Sequence, residues 1–191
     1  FNKKQVLNNF SLTFSNNDKV LISGNSGKGK STIIKILLGF QQFESGTYKI
    51  NSKGIGEYNI FEVRKMFAYV DQEISLRKIS AKQYLQEISK FSGNSLNGVL
   101  DEQLCEYFEF DLNLLDKDIQ KLSGGEKQRL AIIISIMLKR PFFLLDEITS
   151  ALDKNLKEKT VSYFSSCSEG VIAISHDEVW VNNSNFKKVI L

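Results

Sequence analysis

The sequence predicts an α/β fold with a mainly parallel sheet, and three observations carry that reading. Short apolar runs, KVLIS at 19–23, MFAYV at 66–70, FFLLD at 142–146 and VIAIS at 171–175, read as strands. Stretches of helical character separate them, the pattern of parallel strands joined by crossover helices. A glycine-rich loop, GNSGKGKST at 24–32, stands between the first run and a helical stretch. Strand, glycine loop and helix are together what a phosphate-binding loop requires.

Each element follows in order. Residues 6–14 (VLNNFSLTF) end in alternation, with Phe10, Leu12 and Phe14 on one face, and predict a half-exposed strand. After 19–23 and the glycine loop, STIIKILLGF continues as a helix. TYKI at 47–50 and MFAYV at 66–70 predict two more strands. From about 78 to 116 the chain is polar and helix-prone (AKQYLQEISKF, DEQLCEYFEF), with a Gly/Asn/Ser break at 92–98. This reads as a helical insertion. LSGGEKQR at 122–129 then opens a helix spanning 124–139 on a serine and two glycines, a start that leaves backbone N–H groups bare. Pro141, the only proline, ends that helix. Strand 142–146, a helix at about 153–166, strand 171–175 and a last strand KKVIL complete the chain. No internal repeat interrupts this order.

Bulk properties bound the function. At 191 residues the chain fits one domain that buries a core without disulfides. Apolar content of 42% and charged content of 25% describe an ordinary globular protein. A net charge of +3 is too small to argue for nucleic acid, so no nucleic-acid partner is expected. Cys105 and Cys167 lack metal or redox spacing, which suits a reducing compartment. The longest apolar run, residues 130–138, contains Ser135 and falls short of the roughly 20 residues a membrane span needs. No secretory signal is visible. The chain opens on Phe1 rather than methionine, so it is expected to be a piece of something longer.

The chemistry concentrates in a few short stretches. Gly24, Gly29, Lys30 and Ser31 fit G-x-x-x-x-G-K-[ST], with Asn25, Ser26, Gly27 and Lys28 between them. In such a loop backbone N–H groups wrap phosphates, and the helix start adds its positive dipole end. Lys30 is expected to reach the β- and γ-phosphates, Ser31 to bind Mg²⁺ and Thr32 to contact the α-phosphate. Asp146 and Glu147 close the run FFLLDE. An apolar strand ending in a carboxylate puts it at the sheet's carboxyl edge, where ligands of such folds bind. Asp146 is expected to hold Mg²⁺ through water, and Glu147 to polarise the attacking water as general base. His176, the only histidine, follows strand VIAIS at the same edge, within reach of a γ-phosphate. Gln72 follows MFAYV there too, where its amide can bind both Mg²⁺ and water. Alone, each of the last two is also read as an ordinary polar residue at a strand end.

Together these pieces resemble the ATP-binding cassette (ABC) family, the ATPase domains of ABC transporters. GNSGKGKS resembles its Walker A motif, FFLLDE its Walker B motif with the catalytic glutamate at Glu147, and LSGGEKQR its signature. Gln72 falls at the Q-loop, SALD at 150–153 at the D-loop, and His176 at the switch histidine. The resemblance implies a P-loop NTPase (RecA-like) core with N-terminal antiparallel strands. It implies one domain over 1–191, with a helical subdomain of about 75–138 inserted in a core of 1–74 and 139–191. It implies ATP and Mg²⁺, an adenine-stacking Phe1, and Asp153 among the nucleotide-binding residues. It further implies a head-to-tail second cassette, in which Ser123, Gly124 and Gly125 bind the partner's ATP, and a transmembrane domain at the cytoplasmic face of a membrane. Departures are Glu126 where glutamine is usual, Ile148 for the usual proline, Ile134 where the family has an arginine, and the extra charge of Lys28. None removes a catalytic group.

Three other readings compete with this one. A soluble ABC-type ATPase acting on ribosomes or DNA shares these motifs. The lack of sustained heptads between Walker A and the signature counts against the chromosome-type relatives, whereas the ribosome-type relatives, with two cassettes in one chain, stay open. A GTPase or kinase leaves LSGG without a role. A binding module without turnover conflicts with intact Lys30, Asp146, Glu147 and His176.

Overall fold

A computed structural model describes residues 6–25, 27–72, 78–92 and 98–191. Five strands form one parallel sheet in the order β4-β5-β6-β1-β7: β1 is Lys19–Ser23, β4 Phe67–Val70, β5 Phe142–Asp146, β6 Gly170–Ile174 and β7 Lys187–Ile190. Lys49–Ile50 (β2) and Lys53–Gly54 (β3) make a separate antiparallel pair. The helices are α1 Lys30–Leu37, α2 Ile60–Lys65, α3 Ala81–Ser92, α4 Glu102–Tyr107, α5 Gly124–Met137, α6 Lys154–Ser166 and α7 Glu178–Val181.

Alternation along the strands divides the core into two layers. Val20, Ile22, Leu144, Ile172 and Ile174 pack with Ile33, Ile34 and Leu37 of α1. Leu21, Phe143, Leu145, Val171 and Ala173 face the other way, onto Leu130, Ile132 and Ile133 of α5 and Phe164 of α6. A parallel sheet covered on both faces needs such continuously apolar strands. The helical stretch between β4 and β5 joins this second layer through Ala81, Leu85, Phe108 and Leu122.

Several expectations shift. Residues 6–14 form no strand. Their alternation holds, since Phe10, Leu12 and Phe14 are half-buried against the α1-side core, but Asn9 takes a left-handed φ of 51° and the segment finds no ladder partner among the described residues. The antiparallel strands are therefore β2 and β3, and only the last two residues of TYKI join them. The helix expected over 124–139 ends at Met137, where Lys139 turns left-handed at φ 48° before Pro141. Phe1, Ser26 and most of the 92–98 break lie outside the described residues.

Because all five strands are parallel, their carboxyl ends share one edge. There β1 runs into Gly24, β4 into Asp71 and Gln72, β5 into Glu147, and β6 into Ser175 and His176.

Candidate active site

The glycine loop closes on α1 through Gly29, whose φ of 95° is open to glycine and strained for other residues. A Cβ there would also stand 2.5 Å from Val6 Cγ1. No acidic residue lies in the first turn of α1 and no side chain caps it, so the helix itself does nothing to compensate its positive end. Lys30 Nζ donates to the carbonyls of Gly24 (2.7 Å) and Asn25 (3.2 Å), which curls the ammonium back over the loop. Ser31 Oγ donates to Asp146 Oδ2 at 2.8 Å, joining the loop to the end of β5.

Asp146 is buried, and burial pushes its carboxyl above the usual range. The Ser31 hydroxyl opposes this, the carboxylates of Asp71 and Glu147 add to it, and Lys30 opposes it. Glu147 has a left-handed φ of 50°, uncommon outside glycine. That backbone is held by Glu147 N–H donating to the Ile174 carbonyl at 2.9 Å. The turn aims the carboxylate at His176, whose Nδ1 lies 2.8 Å from Glu147 Oε1. An ionised carboxylate only accepts, so against such a partner Nδ1 is the donor. Glu147 is almost buried, whereas the His176 side chain is 82% exposed.

The signature start is better capped than its glycines suggest. Ser123 Oγ accepts from Glu126 N at 3.2 Å, and Glu126 Oε2 accepts from Ser123 N at 2.6 Å, a reciprocal capping box. The Ser123 N–H and hydroxyl hold the Glu126 carboxyl below its ordinary range. Lys127 N also bonds the Ser123 carbonyl. The expectation of bare amides therefore narrows to Gly124 and Gly125. Gly125 sits tight against residue 151, where an added Cβ would meet Ala151 O at 3.0 Å. No hydrogen bond or ion pair among the described residues joins loop 24–32 to 122–125.

Lys30, Ser31, Asp146, Glu147 and His176 thus come together in two bonded pairs and a lysine. Gln72 is exposed on the bend after β4, at the same edge, and Asp153 caps α6 by accepting from Leu156 N at 3.0 Å. Sequence reasoning missed Asp71, whose carboxylate bonds Tyr69 and adds negative charge near Asp146. Its only signal was its place beside Gln72. It also missed Thr149, Asp177 and Trp180, which bond one another behind His176.

Mg²⁺ takes hard oxygen ligands and usually relies on one or two carboxylates plus substrate phosphates. A hydroxyl bonded to a buried carboxylate whose charge is poorly compensated fits that ion. Among the described residues no group of three His, Cys, Asp or Glu side chains could cage a metal.

Parallel sheet, glycine loop and strand-end carboxylates define a P-loop nucleotide triphosphatase. The family model described as ABC transporter matches residues 7–150, and the chain belongs to that family as its ATPase domain. A putative export ATP-binding/permease protein of Rickettsia typhi is 33% identical over 97% of this chain and 34% of its own length. The energy-coupling factor transporter ATP-binding protein EcfA of Malacoplasma penetrans is 33% identical over 96% of this chain and 68% of its own. Among solved structures, a dimeric ATP-binding cassette in a post-hydrolysis state with ADP and Pi superposes with a TM-score of 0.80 at 22% identity, covering 97% of this chain and 86% of that one. A bacterial Atm1-family ABC exporter with ATP bound gives 0.77 at 24% identity, over 92% of this chain and 32% of that one. The chain spans about a third of the length of the Rickettsia export proteins. Among the described residues no helix is long and apolar enough to cross a membrane.

Proposed function

We propose that the chain binds and hydrolyses ATP to drive transport across a membrane. The observation that carries this is the His176–Glu147 pair at 2.8 Å, set beside the Ser31–Asp146 pair at the mouth of the glycine loop. The N–H groups of residues 24–32 bind the phosphates, and Lys30 leaves the Gly24 and Asn25 carbonyls to pair with the β- and γ-oxygens. Ser31 and Asp146, with Gln72, would hold Mg²⁺, which when bound neutralises charge on the phosphates. Glu147 accepts a proton from the attacking water. His176 holds the Glu147 carboxylate through Nδ1–H, and Nε2 donates to a γ-phosphate oxygen when it too is protonated.

Ser123, Gly124 and Gly125 bind the γ-phosphate of ATP held by a second cassette, with Asp153 nearby in the same interface. Among the described residues these groups make no bond to their own chain's loop, as that reading expects. The 75–138 segment acts as a helical subdomain that, with Gln72, passes closure of the two cassettes to a transmembrane partner at the cytoplasmic face of the membrane. The export and coupling-factor relatives support that partner.

Glu147→Gln tests the core of the reading. The amide cannot take a proton, so turnover should fall by about 10²–10⁴-fold while Mg²⁺-ATP binding by calorimetry stays within a few-fold. Turnover at the wild-type rate would sink the assignment of the base.

A further inference from the structure

His176 raises a positioning problem. Its ring is 82% exposed, so packing does not hold it, yet its Nδ1 stands at hydrogen-bond distance from Glu147. An exposed side chain with a defined partner has to be placed by its backbone. That backbone is anchored one residue on, at Asp177. Asp177 N donates to Ser175 Oγ at 3.1 Å, and Asp177 Oδ1 accepts from Val179 N at 3.3 Å, capping α7. Asp177 Oδ2 takes Lys157 Nζ of α6 at 2.6 Å and the Thr149 hydroxyl at 3.4 Å. Thr149 in turn accepts from the indole Nε1 of Trp180 at 3.1 Å. Thr149 and Trp180 are each about 1% exposed, and Trp180 is wedged edge-on to Phe186.

Thr149 lies two residues after Glu147, and Asp177 one after His176. The threonine hydroxyl therefore bridges the turn that carries the carboxylate and the turn that carries the imidazole. Each partner is buried or half-buried, where an unmade hydrogen bond is expensive, so the bridge resists slippage in a way that an exposed contact does not. The segments also share a backbone bond, Glu147 N to Ile174 O, but it fixes only the start of each turn.

We infer that Thr149, through Asp177 and Trp180, is a positioning residue that sets the distance between His176 and Glu147. The inference rests on the reading of that pair as catalytic.

Thr149→Val keeps the shape and removes the hydroxyl. Its turnover should fall on the order of tenfold or more, since misplacement by an ångström can cost a hundredfold. KM for ATP should stay within about twofold, because the phosphate loop is untouched. Thr149→Ser, which keeps the hydroxyl, should restore most of the rate. As His176 is the only histidine, ¹⁵N-histidine labelling gives a single imidazole whose Nδ1 signal reports its bond to Glu147 directly. That signal should move toward the free-imidazole position in Thr149→Val and return in Thr149→Ser. If Thr149→Val fails to fold, Trp180→Phe removes the indole N–H from the same junction, together with part of the buried ring, and should shift the signal in the same sense. An unmoved imidazole signal overturns the inference, whatever happens to turnover or melting temperature. So does full turnover in Thr149→Val when His176→Ala is inactive. Full turnover in His176→Ala instead overturns the underlying reading of the catalytic pair.

Discussion

Asp146, proposed above to hold Mg²⁺, sits where its charge works against the fold. Its carboxyl is buried, its ordinary ionisation is disfavoured by that burial, and Asp71 and Glu147 add like charge. A folded-state value above the unfolded one means that the folded protein gains stability from this group when it is protonated. That gain is full below the unfolded value of about 3.9 and is lost as pH rises through the folded one. Asp146→Asn mimics the protonated form and still accepts from Ser31 through its amide oxygen. Without nucleotide it should therefore melt higher than wild type at pH 7, by roughly 2–4 °C per kcal/mol relieved. The difference should shrink toward about pH 4. The same variant should lose Mg²⁺-dependent stabilisation by ATP. Calorimetric scans at the two pH values, with and without Mg²⁺-ATP, test both halves. A lower melting point at pH 7 would show that Asp146 is stabilising.

At the scale of elements, α5 has two halves with different duties. From Leu130 to Ser135 nearly every side is buried, and Ile134, where the resembling family has arginine, is 5% exposed. The first turn is polar and capped by Ser123 and Glu126. Ser123→Ala removes that cap and should lower stability by about 0.5–2 kcal/mol in urea melts. A buried helix this long should survive the loss. Nucleotide-dependent association should suffer further if the hydroxyl also meets a partner's phosphate. Unchanged stability would mean that the box contributes nothing. Most elements were legible because apolar run length, Pro141 and the LSGG start each leave a local mark. The strand expected over 6–14 failed because alternation reports which side faces the core, not whether a partner strand exists. The Thr149–Trp180 bond left no local mark at all, since 31 residues separate its ends. Strand order was equally hidden, whereas the motifs at the sheet edge were legible because each sits directly after an apolar run.

At the scale of the whole molecule, the proposal that the glycine loop and the LSGG start both bind phosphate makes sense if each serves a different nucleotide. Helix α5 leads into β5 and so runs back against it, which brings its first turn to the level of the sheet's carboxyl edge. The Gly124 and Gly125 amides therefore lie at the level of the glycine loop, with no bond to it among the described residues. A lesion that blocks this function without disturbing its own chain has to be chosen with care. At Gly125 a side chain would press on the Ala151 carbonyl, whereas at Gly124 the nearest atom to a new Cβ is Ala151 Cβ, at an ordinary 3.5 Å. Gly124→Asp thus fits its own chain, and an acidic residue suits a first helical turn. Toward a partner's γ-phosphate its charge is repulsive. Alone, Gly124→Asp should be inactive, and so should Lys30→Ala, which removes the cation from the phosphate loop. Mixed together, they form some dimers in which the intact loop of one chain meets the intact signature of the other. One site per mixed dimer is then whole, and ATPase activity should reappear in proportion to mixed dimers, measured by phosphate release as the ratio of the two chains is varied. If the signature served the nucleotide of its own chain, every site would keep one lesion at every ratio. A flat, inactive titration with mixed dimers demonstrated by differential tagging would reject the shared site.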